Sequence, residues 1–234
     1  MMTDQKVALV TGANRGLGAG AARHLTRAGL AVLGTYHRGA DEAAAVSAGL
    51  GDRVAFLPLD VTRPETFGDF VTAARTTIRE RFGAHRLDYL VNNAGIGVFA
   101  PFAETTPAQF DELVAVNLRG PFFLTQSALP LLADGARILN VTTALTRGVV
   151  PGMAAYAATK SAVEALTRYQ AVELADRRIR VNTLMGGAVD TDFGGGLMHA
   201  PQVRELAAHT IAQGRIATVD DITAAVPAVL SDAF

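Results

Sequence analysis

The sequence predicts a three-layer α/β/α fold around a doubly wound parallel sheet, in one domain spanning residues 1–234. Three observations predict it. Six short, nearly all-apolar runs alternate with longer amphipathic stretches, and a glycine-rich turn follows the first run. Half of the 234 residues are hydrophobic, and no linker, repeat or low-complexity segment divides them. Strands buried on both faces of a parallel sheet read as continuous apolar runs, and their connections are right-handed helical crossovers.

The elements follow in order. A first strand is expected at residues 7–10 and a helix at 16–28, then a strand at 31–35 and a helix at 42–48. The third strand falls at 54–57. Its helix, 64–82, has Pro64 in the first turn and Thr62 as cap. The fourth strand, 89–92, leads to one long helix at 107–132, with Pro107 in its first turn and Thr106 as cap. A fifth strand at 137–141, a helix at 154–176 and a sixth strand at 180–184 complete the repeat. Residues up to about 135 form the half that carries the glycine turn, and residues from 136 onward form the other. Residues 190–201, with Gly194-Gly195-Gly196, Phe193, Leu197 and Met198, read as an apolar flap beside a site or as a surface loop. Long loops in compact domains are often functional, which favours the flap.

Composition excludes several function classes. Net charge is −1 with no basic tract, so nucleic acid and anionic membranes are poor partners. The absence of cysteine removes disulfides, thiolate catalysis and cysteine-ligated zinc. His24, His37, His85, His199 and His209 show no ligand spacing, so no metal site is expected. Residues 1–6 lack the apolar core of a leader, and no run reaches the roughly 20 residues of a membrane helix. A soluble, cytoplasmic protein is expected.

The turn Thr11-Gly12-Ala13-Asn14-Arg15-Gly16-Leu17-Gly18 sits where the first strand meets its helix. Glycines there let the backbone approach a pyrophosphate, which free N–H groups and the helix dipole then hold. The spacing Gly-x-x-x-Gly-x-Gly differs from the commoner dinucleotide fingerprint, and no Gly-Lys-Ser/Thr ending makes it a P-loop. An NAD-preferring site places an acid at the end of the second strand, where this chain has Tyr36-His37-Arg38. Arg15 and Arg38 could converge on a 2′-phosphate, so NADP(H) is expected over NAD(H). Asp60, with Val61 beside it, ends the third strand where it could accept from an adenine amino group.

Lysine occurs only at Lys6 and Lys160, and Lys160 follows Tyr156 by four residues. On a helix this spacing puts phenol and ammonium on one face. A nearby cation favours phenolate, so Lys160 is expected to lower the Tyr156 pKa and make it a usable acid–base.

Taken together these segments resemble the classical short-chain dehydrogenase/reductases, over about residues 6–231. The glycine turn, Asn92-Asn93-Ala94-Gly95, Asn117, Tyr156 with Lys160, Arg180-Val181-Asn182, Asp190-Thr191, Gly214-Arg215-Ile216 and Asp220-Asp221-Ile222 carry the likeness. The resemblance implies a Rossmann-like fold and reversible, NADPH-dependent reduction of a ketone to an alcohol. It assigns Tyr156 as proton donor, Lys160 to the tyrosine and the nicotinamide ribose, and Asn117 to a helix kink and a relay water. It assigns Thr143 to the substrate oxygen. By the same likeness Gly12, Asn14, Arg15, Gly16, Leu17, Gly18, Tyr36, His37, Arg38, Asp60, Val61, Asn92, Ala94, Gly95, Gly187, Val189 and Thr191 would meet the cofactor, together with Tyr156 and Lys160.

Three features depart from the family pattern. Thr143 stands where serine is usual, with Thr142 as substitute if the register shifts; Gly186-Gly187 replaces Pro-Gly; and the chain stops at Phe234, where relatives continue into a seventh strand. The family's homo-oligomers, dimers or tetramers, are an expectation that this weakens. Ile96, Leu145, Val150, Met153, Phe193 and Met198 are expected to line an apolar substrate pocket, or else to be plain core. A non-catalytic dinucleotide sensor is the alternative function. Such sensors usually lose the tyrosine or the lysine. Halohydrin dehalogenases would need arginine for Lys160, and the family's enoyl reductases space tyrosine and lysine more widely.

Overall fold

A computed structural model describes residues 5–233. Residues 1–4, on which the absence of a leader was read, and Phe234 lie outside the described residues, as does the side chain of Leu197. Strands β1 (Val7–Val10), β2 (Ala31–Tyr36), β3 (Val54–Pro58), β4 (Leu87–Asn92), β5 (Leu132–Thr143) and β6 (Arg180–Gly186) form one parallel sheet. Its order is β3-β2-β1-β4-β5-β6. The chain therefore winds outward in one direction to β3, then restarts beside β1 at β4. That reversal opens a crevice at the carboxyl ends of β1 and β4.

Period-2 alternation assigns the two faces of the sheet. Val7 and Leu9 join one apolar cluster with Phe67, Ile78 and Leu124, whereas Ala8 and Val10 join another with Leu25, Val32 and Val226. Phe67, Leu9, Leu25 and Ile78 are fully buried, each contributing about 1.5–3 kcal/mol. Helices α1 (Gly16–Arg27) and α2 (Ala40–Leu50) follow β1 and β2, α3 (Phe67–Phe82) follows β3, and α6 (Ala154–Glu173) precedes β6.

The structure corrects four expected boundaries. The single helix expected at 107–132 is two: α4 (Pro107–Val114) and α5 (Gly120–Ala128), joined by a π-turn at Ala115–Arg119. Pro121 has no N–H to give the carbonyl four residues earlier, which is that of Asn117, so the regular ladder is broken there. Leu132 belongs to β5, whose extra residues precede its regular pairing; Leu87 pairs Leu132 and Tyr89 pairs Arg137 across an irregularity. Pro64 opens a 3₁₀ turn, Pro64–Thr66, ahead of α3. Thr62 is no cap, because its N–H and hydroxyl both bond Asp60 Oδ1, at 2.9 and 2.7 Å. Thr106, by contrast, forms a capping box with Gln109.

Candidate active site

The carboxyl ends of the strands border one cleft of about 1500 Å³. At one end lies the glycine turn. Gly12 (φ 63°) and Gly16 (φ 53°) occupy the left-handed region that favours glycine. A Cβ on Gly18 would collide with the Gly12 carbonyl and lie 2.6 Å from Asn93 Nδ2, so only glycine lets α1 seat against the turn. Cross-links between loops fix its shape. The Thr11 hydroxyl accepts from the N–H groups of Asn93 and Ala94, both at 2.9 Å. Asn93 Nδ2 donates to the Thr11 carbonyl at 2.8 Å, and Asn14 Nδ2 donates to the Arg38 carbonyl at 3.0 Å.

Arg15, His37 and Arg38 are exposed at the rim of this end. Among the described residues no carboxylate pairs with either arginine. Asp60 lies 3.6 Å from His37 Nε2. Burial opposes its ionisation, but the Thr62 hydrogen bonds and the His37 and Arg63 charges outweigh this and lower its pKa. Gly16, Leu17, Val61, Ala94 and Gly95 also face the cleft.

At the other end α6 brings Tyr156 and Lys160 to one face, both buried. A Cβ on Gly95 would lie 3.2 Å from Asn117 Oδ1 and 3.4 Å from Lys160 Nζ, which locates all three around the end of β4. Asn117 does not reach the cleft wall. It lies behind, its Oδ1 accepting from Ile96 N at 3.0 Å and its Nδ2 donating to the Ile96 carbonyl at 2.9 Å. Thr143 and Tyr156 stand together in the cleft wall, with the Thr143 hydroxyl near enough to act on the phenol.

The electrostatics overturn one expectation. Burial pushes the Tyr156 phenol up to about 12, against the lowering effect of the nearby Thr143 hydroxyl, and Lys160 is not among the causes. Lys160 donates to the Val141 carbonyl at 2.9 Å, and burial brings its ammonium down to about 8. Desolvation thus disfavours the charged form of both groups.

Of the expected cofactor contacts, three leave the cleft wall. Asn92 turns into the core, where its Nδ2 donates to Thr125 Oγ1 and Asn140 Oδ1 at 3.0 and 2.8 Å. The Tyr36 ring packs toward Phe56 with centroids 6.4 Å apart, and Gly18 is buried behind the turn. For Asn92 and Tyr36 the alternation of strand side chains is the reason: Thr35, one residue before Tyr36, faces inward and accepts from Gly12 N at 3.3 Å. Gly187, Val189 and Thr191 line the far wall. All six expected pocket residues, Ile96, Leu145, Val150, Met153, Phe193 and Met198, line the cleft. Phe193 lies 5.4 Å from Tyr156, ring centroid to centroid, and its ring covers Gly97. The anchoring role of Thr11 and the places of Thr35 and Phe99 in the wall were not among the expected site features. A threonine ending an apolar strand was a signal for the first two, whereas nothing local distinguishes Phe99 from core.

A family model described as enoyl-(acyl carrier protein) reductase matches residues 12–234. An uncharacterized oxidoreductase of Methylorubrum extorquens is 35% identical over 97% of this chain and 91% of its own length. The chain belongs to the short-chain dehydrogenase/reductase family. A hydroxynaphthalene reductase-like protein of Metarhizium brunneum is 38% identical over 80% of this chain and 70% of its own. Among solved structures, the angucycline C-6 ketoreductase LanV with bound NADP superposes with TM-score 0.91 at 36% identity, over 97% of this chain and 89% of that one. This short-chain dehydrogenase/reductase is an oxidoreductase among relatives named for carbonyl reduction.

Proposed function

We propose that the chain reduces a ketone on a flat, ring-bearing apolar body to an alcohol, reversibly, with NADPH preferred over NADH. One observation carries this reading: Tyr156, Thr143 and Lys160 converge at one end of the same cleft whose other end is the glycine turn flanked by Arg15 and Arg38. The wall residues fit the dinucleotide. Gly12 and Gly16 leave their turn open to a pyrophosphate, with Asn14 and Leu17 beside it. Arg15, His37 and Arg38 suit a 2′-phosphate, Asp60 and Val61 an adenine, and Lys160 a ribose. Ala94, Gly95, Gly187, Val189 and Thr191 would border the rest. When bound, NADPH supplies the hydride.

The chain's own part is proton chemistry. With its pKa near 12 the phenol of Tyr156 is protonated at neutral pH, the state needed to give a proton to a carbonyl oxygen. Thr143 supplies a second hydroxyl to the same oxygen as charge develops there. The four-residue spacing of Tyr156 and Lys160 favours carbonyl over enoyl reduction. Phe99, Phe193, Met153 and Met198 shape the adjoining wall, and the relatives named for hydroxynaphthalenes and angucyclines support a fused-ring substrate.

The test follows NADPH consumption over a panel of fused-ring and simple ketones, in wild type and Tyr156→Phe, with NADPH affinity by titration. Tyr156→Phe is expected to lower turnover about 100-fold or more, with Kd almost unchanged. Retained turnover would remove Tyr156 from the mechanism. NADPH binding without reduction of any ketone would favour the dinucleotide-sensing alternative.

A further inference from the structure

We infer that Glu164 is a positioning residue: it grips the loop that carries Thr143 and so fixes the Thr143 hydroxyl against Tyr156. The kinetic consequence rests on the proposed ketone reduction; the anchoring itself rests on geometry alone.

Thr143 is the last residue of β5, and the chain leaves it through a single 3₁₀ turn, Ala144–Thr146. The Arg147 and Gly148 N–H groups close the turn on the Ala144 carbonyl, both at 2.9 Å, and pairing with Gly186 holds the backbone of Thr143, but little within the turn holds its side chain. Its hydroxyl accepts from Leu145 N at 3.4 Å, a long bond. The strong contact comes from outside. The Thr146 hydroxyl lies 3.0 Å from the Thr143 carbonyl and 2.6 Å from Glu164 Oε1, so its one proton is shared and the carboxylate takes the shorter bond. Bonds of that length to an ionised acceptor are about twice as strong as neutral ones. The other oxygen, Oε2, accepts from Arg147 at 3.2 Å.

Burial shows which contact matters. The Glu164 side chain is 11% exposed, whereas that of Arg147 is 71% exposed. A carboxylate so enclosed is costly unless its bonds are made, and the solvated arginine offsets little of that cost. The short bond to Thr146 is therefore the one that keeps Glu164 inside. Position along the helix then gives this a function. Tyr156, Lys160 and Glu164 stand at i, i+4 and i+8 on α6, one face of one rigid element. The helix that bears the proton donor also holds the loop bearing its hydroxyl partner. Displacing a reacting group by about 1 Å can cost 100-fold in rate.

The test compares Glu164→Ala, Glu164→Gln, Thr146→Val, the Glu164→Ala/Thr146→Val double variant and Arg147→Ala. Glu164→Ala is expected to lower kcat about tenfold or more, with KM for NADPH within about twofold, because the cofactor cradle is untouched. Glu164→Gln keeps an acceptor for Thr146 and should restore most of the rate. Thr146→Val should lower kcat at least as far as Glu164→Ala, because it leaves the enclosed carboxylate without its short bond, and the double variant should be no worse than Thr146→Val, since both changes cut one link. Arg147→Ala should change kcat less than about twofold. Amide hydrogen exchange supplies a readout independent of turnover: the Leu145, Arg147 and Gly148 amides should exchange faster in Glu164→Ala while the sheet stays protected. Wild-type kcat, or unchanged exchange at those amides, would overturn the inference. An equal loss in Glu164→Gln, or additive losses in the double variant, would do the same. If wild type reduces no ketone, the functional reading fails, and the exchange result still decides whether Glu164 anchors the loop.

Discussion

The two ends of the cleft are built by different physics. At the glycine turn, part-buried hydrogen bonds between side chain and backbone lock Thr11 to Asn93 and Ala94, and Gly18 seats its helix in close contact with the Gly12 carbonyl. At the flap, Asp190 is held by an exposed ion pair to Arg204 at 2.9 Å and a contact with His199 Nε2 at 3.2 Å. There Gly194, Gly195 and Gly196 all have positive φ, and the Phe193 ring leans on Tyr156 and Gly97. Under the proposed function, the end that would receive a dinucleotide gains from rigidity, and the end that would admit a substrate gains from contacts that break cheaply.

That contrast is open to direct tests. The largest effect should come from Gly18→Ala, which forces a methyl into backbone atoms. Overpacking of this kind costs about 3 kcal/mol, and urea unfolding should show it together with weakened dinucleotide binding. A Gly18→Ala protein as stable as wild type would mean the turn is not tightly locked.

Next comes the buried ammonium. The pKa of Lys160 is about 8 when folded and 10.5 when unfolded. Below pH 8 both states hold the proton and the folded state carries the full burial penalty. Between pH 8 and 10.5 the unfolded chain binds more protons, so stability should rise with pH, then level off. Lys160→Met should lack this rise. Urea midpoints across that range, wild type minus variant, measure it; a flat difference would place the ammonium in solvent.

Cofactor affinity sharpens the comparison further. Replacing Arg15 or Arg38 with alanine should weaken NADPH about tenfold and leave NADH almost unchanged, since one charge-assisted bond contributes about 1.5–3 kcal/mol. Wild type that binds both cofactors equally would sink this assignment. The smallest effect belongs to the flap. Asp190→Asn removes the exposed ion pair to Arg204, which contributes about 0–1 kcal/mol. Tm should scarcely move, and any change should appear in substrate KM. A large drop in Tm would make the flap structural.

Much of this was legible in the sequence, and the exceptions share a cause. Six strands and the Tyr156–Lys160 face follow from periodicity alone, as does the position of the glycine turn, because period and backbone freedom are local properties. The break at Asn117 was legible only through family likeness, although Pro121 marks it. Direction was harder. Asn92 and Tyr36 lie one residue from inward-facing neighbours, and a strand sends successive side chains to opposite faces, so a site assignment by segment misses by one.

What the sequence determined by itself is the order of elements, the chemistry available and the spacing that pairs a phenol with an ammonium. Only the tertiary structure decided how much water each group loses. Desolvation depends on everything packed around an atom, much of it distant in the chain. That is why Tyr156 is pushed up and Lys160 down, where neighbouring charge alone predicted a lowered phenol, and why Glu164 is enclosed against a loop eighteen residues earlier.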